Sequence, residues 1–133
     1  MKIPSSDGKS SIDVEKRHED ESGSAYKVTC SINIGHGEFL AKNDEIYFVN
    51  MAQFTKELDA FICDRSLVPH LEGTYDTEIR FLCKNSPLKV VVEFTIGDSY
   101  SGYSEAAHYK LSGMFEIDQG KLELILGELR GLA

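Results

Sequence analysis

The stretch YKVTCSINI, residues 26–34, decides the fold class, because an apolar residue stands at every second position. Five apolar side chains share one side of this extended chain: Tyr26, Val28, Cys30, Ile32 and Ile34. Polar side chains occupy the other side. Strict alternation of this kind predicts a half-buried strand of an antiparallel sheet.

Downstream of this strand, the turn Gly35-His36-Gly37 returns the chain into a second strand, predicted over residues 38–49 with a break at 42–44. Asn50 is predicted to begin a helix through a capping box with Gln53. The helix has one apolar stripe, formed by Met51, Phe54, Leu58, Phe61 and Ile62. Pro69 ends this region.

The rest of the chain repeats the strand pattern. Alternating residues predict strands over 72–84 (split near Asp76), 88–96 and 109–117, and a weaker strand precedes residue 26 at 12–16. Asp118 is predicted to cap a closing helix. The stripe of that helix is Leu122, Ile125, Leu126, Leu129 and Leu132.

Strands grouped between helices are typical of the α+β class. The predicted order is β-β-β-α-β-β-β-β-α, in a single antiparallel sheet of about six or seven strands with two amphipathic helices packed on one face. Residues 1–11 are rich in Ser, Lys and Gly and predict a flexible N-terminal arm. Residues 12–133 form the single α+β domain of this prediction.

The net charge indicates which partners to expect, and the cysteines indicate the compartment. The chain of 133 residues carries 14 Lys and Arg against 22 Asp and Glu, for a net charge of −8. Such a chain repels phosphate backbones and anionic lipid, so we expect neither nucleic acid nor a membrane as partner. Cys30, Cys63 and Cys83 lack a C-x-x-C spacing and are expected to be buried free thiols. With no apolar leader in the sequence, these features predict a cytoplasmic protein.

Catalytic and metal motifs are weak in this sequence. Gly97-Asp98-Ser99 follows a strand and is similar to the nucleophile block of GDSL esterases, but that family takes its base from a D-x-x-H near the C-terminus. Here the last histidine is His108, only nine positions after Ser99, and the alternating strands do not fit a parallel sheet. The four histidines have no ligand spacing. The prediction is therefore a protein that is not an enzyme and has no catalytic residue, metal site or cofactor.

Two polar segments are better suited to protein recognition. The loop around Tyr100 and Tyr103 offers amphipathic contact area at little entropy cost, although both rings would be hidden if they folded back over the sheet edge. An acidic run lies at residues 19–21, where it would steer a basic partner. The predicted partner-binding residues are Glu19, Asp20, Glu21, Asp98, Tyr100, Tyr103 and Glu105.

Three patterns follow one another along the chain: the helix F-x-x-x-L-x-x-F (Phe54, Leu58, Phe61), a G-x₅-I-x-F strand over 73–81, and a closing stripe after Phe115 and Asp118. Over residues 28–132 this arrangement resembles the WapI-type bacterial immunity proteins and their uncharacterised relatives. The resemblance implies a bacterial cytoplasmic protein, without enzymatic activity, that binds and occludes a cognate toxin domain. Nuclease toxins tend to be basic, which agrees with the acidic balance of this chain.

Two alternatives remain open. One is a small serine hydrolase that uses Ser99 of the GDS loop with His108. The other is a small-ligand binding protein with its pocket between sheet and helices. Both are functions of a different class from a protein-binding module.

Overall fold

A computed structural model describes residues 1–132 of the chain. Its strands and helices are β1 (Lys2–Pro4), β2 (Ser11–Asp20), β3 (Gly23–Ile34), β4 (Gly37–Ile46), α1 (Met51–Cys63), β5 (His70–Glu72), β6 (Glu78–Cys83), β7 (Val90–Ser101), β8 (Ala106–Ile117) and α2 (Leu122–Leu132). A short 3₁₀ turn, Gln119–Lys121, precedes α2. The α+β class, the antiparallel pairing and both predicted helices are confirmed.

The strands form two sheets, so the prediction of one sheet of six or seven strands is wrong. The first sheet has the order β1-β2-β3-β4 and the second β5-β6-β7-β8. Alternation shows which face of a strand is buried, but it does not say which strand lies beside it. Between the sheets, β4 contacts β7 through side chains: the Asn43 amide, which is buried, donates to the Gly97 carbonyl at 2.9 Å.

Residues 1–11, predicted to be a flexible arm, are paired and packed. The Met1 amino group donates to the Val14 carbonyl at 2.7 Å, and β1 pairs with β2. Ile3 is fully buried. Its burial gives the segment an apolar anchor that outweighs the polar composition around it.

Helix α1 begins where predicted, but the capping box is wrong. The Asn50 side chain makes no cap hydrogen bond. It donates to the His70 carbonyl at 2.7 Å and accepts from the Glu72 amide at 2.9 Å, which ties β5 to the start of α1. Asp118 does cap the turn before α2, accepting from Gly120 N at 2.9 Å.

One hydrophobic core contains residues of both sheets and both helices. Helix α1 contacts α2 and β5, and α2 also contacts β1, so the helix pair connects the two sheets. At its surface, Arg130 of α2 pairs with Asp59 of α1 at 3.3 Å. The fully buried side chains of the helices include Phe54, Phe61, Leu58 and Leu122.

The three cysteines differ in burial, which corrects the expectation that all are buried. Cys30 is buried in β3, and this burial raises the pKa of its thiol to about 12. Cys83 is half-buried, and Cys63 is exposed. Cys63 is the last residue of α1, beyond the buried part of its apolar stripe.

Candidate protein-binding surface

The end of the β7–β8 hairpin, residues 98–109, projects exposed tyrosines and carboxylates. The two strands pair without a register shift from Val90↔Ile117 to Ser101↔Ala106. Residues 90–97 of β7 are buried or half-buried and Phe115 and Ile117 of β8 are buried, whereas residues 99–110 are all exposed. The hairpin therefore extends beyond the core and presents its end to solvent.

The tyrosines of this end do not fold back over the sheet edge as a pair. Tyr103 is fully exposed in the turn, and the side chain of Tyr100 is 61% exposed. The Tyr100 hydroxyl lies over Gly102, where an added Cβ would come within 2.6 Å of it. Tyr100 therefore packs along its own turn, and both rings are available to a partner.

The carboxylates at this end have few internal partners. Asp98 accepts a hydrogen bond from the amide of its neighbour Ser99 at 2.8 Å. Within residues 1–132, neither Asp98 nor Glu105 takes part in an ion pair. Their charges are thus free to act on a ligand or partner.

A neighbouring turn completes a concave site beside the hairpin. Tyr75 and Asp76 both have a φ of 59°, the left-handed conformation, and the Tyr75 carbonyl lies against Gly97. A Cβ at Gly97 would be 2.2 Å from that oxygen, so only glycine admits the turn. The resulting concavity of about 380 Å³ is lined by Tyr75, Asp76, Asp98, Ser99, His108, Tyr109 and Lys110.

Ion pairing and burial shift the pKa of two groups in this concavity. Lys110 Nζ lies 2.8 Å from an Asp76 carboxylate oxygen, and its hydrogen bond and charge lower the pKa of Asp76. The Tyr109 hydroxyl donates to the Lys42 carbonyl of β4. Burial raises the pKa of Tyr109, and the negative charges of Asp98 and Asp44 raise it further. Asp44 therefore adds a carboxylate that the sequence analysis did not select.

The second predicted segment lies at the end of the β2–β3 hairpin, residues 18–24. Strand β2 continues up to Asp20, with a register shift between Lys16 and His18. Asp20 accepts hydrogen bonds from the amide and hydroxyl of Ser22 at 2.8 and 2.5 Å, which lower its pKa. Glu19 pairs with Lys16 at 3.4 Å. Two of the three acidic side chains are thus bound within the hairpin.

The two hairpin ends do not form one site, but they flank the same segment of β4. His18 Nε2 lies 3.7 Å from Glu45, and Tyr109 bonds to the Lys42 carbonyl, so residues 42–45 run between the two ends. No hydrogen bond or ion pair joins the β2–β3 end to the β7–β8 end in the described part of the chain. The two charged hairpin ends therefore lie on either side of β4, and each is held by contacts of its own.

Four residues of this surface were not selected as partner-binding residues from the sequence: Asp44, Tyr75, Asp76 and Tyr109. The sequence feature that could have indicated Tyr75 and Asp76 is Gly97, because a glycine inside a strand often marks the close approach of another backbone. The approaching backbone is the turn that carries Tyr75 and Asp76.

The serine and histidine considered for hydrolysis are brought together. Ser99 lies directly opposite His108 in the β7–β8 register, and both side chains are exposed. Across the described residues, no hydrogen bond joins the Ser99 hydroxyl to the imidazole. In that same part of the chain, no group of three or more His, Cys, Asp or Glu side chains has the placement of a metal site.

Comparison with known proteins found no matching family model, no matching curated protein and no matching solved structure. None of the helices within residues 1–132 combines the length and apolar character that crossing a bilayer requires.

Proposed function

We propose that this chain is a non-catalytic protein-binding module that binds and occludes a basic partner through the β7–β8 end. One observation carries the proposal: exposed Tyr100 and Tyr103 stand beside the carboxylates of Asp98 and Glu105, which have no ion pair within residues 1–132, at the end of a hairpin whose strands pair without a register shift. Tyrosine gives a large contact area for little entropy loss, and it is enriched at the energetic centre of interfaces.

The charge of the chain supports a basic partner. The net charge of −8 would accelerate association with a positively charged domain. The acidic residues of the β2–β3 end and Asp44 extend the negative surface past β4. We propose, from the resemblance to WapI-type immunity proteins, that the partner is a bacterial toxin domain and that the complex forms in the cytoplasm.

The test is affinity capture from the source cell at low salt, with two baits. Wild type is compared with Tyr100→Ser/Tyr103→Ser, which leaves charge unchanged and removes the aromatic anchors. We expect one basic protein bound by wild type, released by salt and weakly bound by the variant. That protein is then purified, and a titration by calorimetry measures its affinity for both baits. Equal capture by the two baits would contradict the proposed surface.

A serine hydrolase is the second candidate, because Ser99 and His108 face each other across the hairpin. The activated ester p-nitrophenyl acetate distinguishes the two proposals. A binding module gives the same slow background hydrolysis for wild type and Ser99→Ala. A rate that falls at least tenfold in Ser99→Ala would favour the hydrolase.

A small-ligand binding protein would use a pocket between sheet and helices. A concavity lined mainly by apolar residues lies instead between the two sheets, where Phe39 of β4 faces Leu111 and Gly113 of β8. A thermal shift produced by one compound of a metabolite panel, and abolished by Leu111→Ser, would support this third function.

A further inference from the structure

We propose that the cleft between strands β4 and β8 binds a small uncharged aromatic molecule. The inference rests on the third function considered above, to which it gives a class of ligand, and it leaves the protein-binding hairpin end free. β4 and β8 are the last strands of their sheets, and they are not paired with each other. The two sheets therefore meet here along two edges, with the cleft between them.

Hydrogen bonds between the sheets bound the cleft at both ends. At one end, the Asn43 amide of β4 donates to the Gly97 carbonyl at 2.9 Å, and Gly97 pairs with Lys110 of β8. At the other end, the amide of Ser6, in the loop after β1, donates to the Glu116 carbonyl at 2.8 Å. Within residues 1–132, no hydrogen bond joins residues 111–115 to the first sheet. The cleft is thus formed without a ligand, and its closed ends suit a compact molecule better than a continuous peptide strand.

Two aromatic rings form walls of the cleft, and each lies against a glycine. A Cβ added at Gly37 would come within 2.6 Å of the Phe39 ring, and one added at Gly113 within 3.0 Å of the Phe94 ring. Phe94 is buried, whereas the side chain of Phe39 is 50% exposed. The concavity in front of these rings has a volume of about 290 Å³, and its lining also includes Ile32, Ile34, Leu111 and Ser112.

The lining contains no charged side chain, so the ligand should be uncharged. Its polar side chain is that of Ser112, whose hydroxyl lies 2.9 Å from the Thr95 hydroxyl and thus already has a partner. A charged group that entered the cleft would lose its hydration without compensation. The net charge of −8 makes an anion still less favourable.

The rings favour an aromatic ligand over an aliphatic one. Phe94 pairs with Phe115 at 6.0 Å between ring centroids, but Phe39 has no ring partner among residues 1–132. A bound ring would supply that partner in an offset or edge-to-face contact. At about 30 Å³ for each non-hydrogen atom, the volume that a water molecule occupies in the liquid, the cleft admits about ten such atoms. This is the size of a bicyclic aromatic such as indole.

Calorimetric titration of the whole chain with indole tests the proposal, and indole-3-acetate is the charged counterpart. We expect indole to bind wild type with a Kd on the order of 0.1 mM, because so small a ligand makes few contacts. Indole-3-acetate should bind at least tenfold more weakly. No binding of indole at about 2 mM, or equal binding of the two compounds, would overturn the proposal.

Two neighbouring residues of β4 provide matched variants. Phe39 lies opposite Ile32 and lines the cleft, whereas Leu40 lies opposite Ser31 on the other face of the strand and is also exposed. We expect Phe39→Ser to weaken indole binding at least tenfold and Leu40→Ser to bind like wild type. An equal effect of the two substitutions would overturn the assignment of the cleft.

A variant that fills the cleft tests the same site without removing an apolar side chain. Ile34 lines the cleft and is 53% exposed, so the ring introduced by Ile34→Trp can lie in the cleft in place of the ligand. We expect this variant to keep the urea midpoint of wild type and to bind indole at least tenfold more weakly. Unchanged indole binding would overturn the proposal.

The outcomes separate this proposal from those on which it borders. Tyr100→Ser/Tyr103→Ser should bind indole like wild type, so the hairpin end is tested by its own capture experiment. A charged metabolite that raises the unfolding temperature, while indole does not bind, would support the third function and overturn the ligand class. A captured protein that is lost with Phe39→Ser, while indole does not bind, would overturn the small ligand in favour of a protein.

Discussion

The two long hairpins of this protein are both acidic at their ends, but they use their charges differently. At the β2–β3 end, Asp20 is bound by Ser22 and Glu19 by Lys16, so the carboxylates stabilise their own turn. At the β7–β8 end, Asp98 and Glu105 lack ion-pair partners within the described chain, and two exposed tyrosines stand beside them. A charge that is already paired within the protein adds little to the binding energy of a partner. We therefore expect the β7–β8 end to provide most of the binding energy, and the β2–β3 end to increase the rate of association.

The largest expected effect comes from disrupting the contact between Gly97 and the 75–76 turn, which supports the β7–β8 end. Gly97→Ala forces a Cβ against the Tyr75 carbonyl and should lower the free energy of unfolding by about 2–4 kcal/mol. Urea unfolding measures this change. Gly127→Ala in α2, where a Cβ meets nothing within 4 Å, should be neutral or stabilising by about 1 kcal/mol. Equal stability of the two variants would mean that the 75–76 turn does not depend on Gly97.

The tyrosines should dominate affinity. Tyr103→Ser is expected to weaken binding of the captured partner by about ten- to a hundredfold while leaving the unfolding midpoint unchanged, because this ring is fully exposed and makes no core contact. Calorimetric titration measures the loss. Leu88→Ser, also highly exposed but in another loop, is the control and should bind like wild type. A matching loss in Leu88→Ser would show that the effect is not local.

The β2–β3 end should act on the rate of association. Glu19→Gln/Glu21→Gln should slow association about two- to tenfold at low salt, leave dissociation unchanged, and lose its effect at high salt. Stopped-flow mixing with the captured partner follows both rates. Glu38→Gln/Glu123→Gln removes the same charge elsewhere. A larger effect on dissociation than on association would make this end part of the buried contact.

The smallest effects concern acid stability. Hydrogen bonding and charge from Lys110 lower the pKa of Asp76, so its contribution to stability is present above the ordinary value of about 4 and is lost as pH falls through the lower folded-state value. Wild type should therefore exceed Asp76→Asn in urea midpoint at pH 7, and the two should converge in acid. A gap that persists at pH 2 would contradict this linkage.

The effect of salt on stability should distinguish Asp20 at the β2–β3 end from Asp76 beside the β7–β8 end. The pKa of Asp20 is lowered by hydrogen bonds from Ser22, a neutral side chain, whereas that of Asp76 depends on a cation. Salt at 0.5 M, about the concentration that screens exposed charges strongly, should shrink the effect of Asp76→Asn more than that of Asp20→Asn. Equal salt sensitivity of the two variants would mean that long-range charge, and not a local hydrogen bond, stabilises both carboxylates.

The strand and helix predictions succeeded where burial is local. The alternation at residues 26–34 and the stripe beginning at Met51 correspond to β3 and α1, because each element buries one continuous face. The helix cap failed for the opposite reason. Asn50 lies at the predicted boundary, but its side chain binds His70 and Glu72, partners about twenty positions away. A local rule cannot see a competing partner that the fold brings near.

The candidate surface was only partly predictable. Asp98, Tyr100, Tyr103 and Glu105 share one hairpin, and adjacency in the chain placed them together. Tyr75 and Asp76 reach the same concavity through a turn that packs against Gly97, and Asp44 of β4 acts on Tyr109 of that concavity through its charge. These residues come from different segments, so no spacing in the sequence relates them.

By itself, the sequence determined the acidic charge, the class of fold, the two helices and the faces buried by the strands that it predicted, because these follow from composition and from periods of two and 3.6 residues. Only the tertiary structure decided that the strands divide into two sheets, that Ile3 draws the N-terminus into the core, and that Gly97 receives a turn bearing a tyrosine and an aspartate. Which strand lies beside which depends on contacts between distant segments, and those are settled by packing the whole core at once.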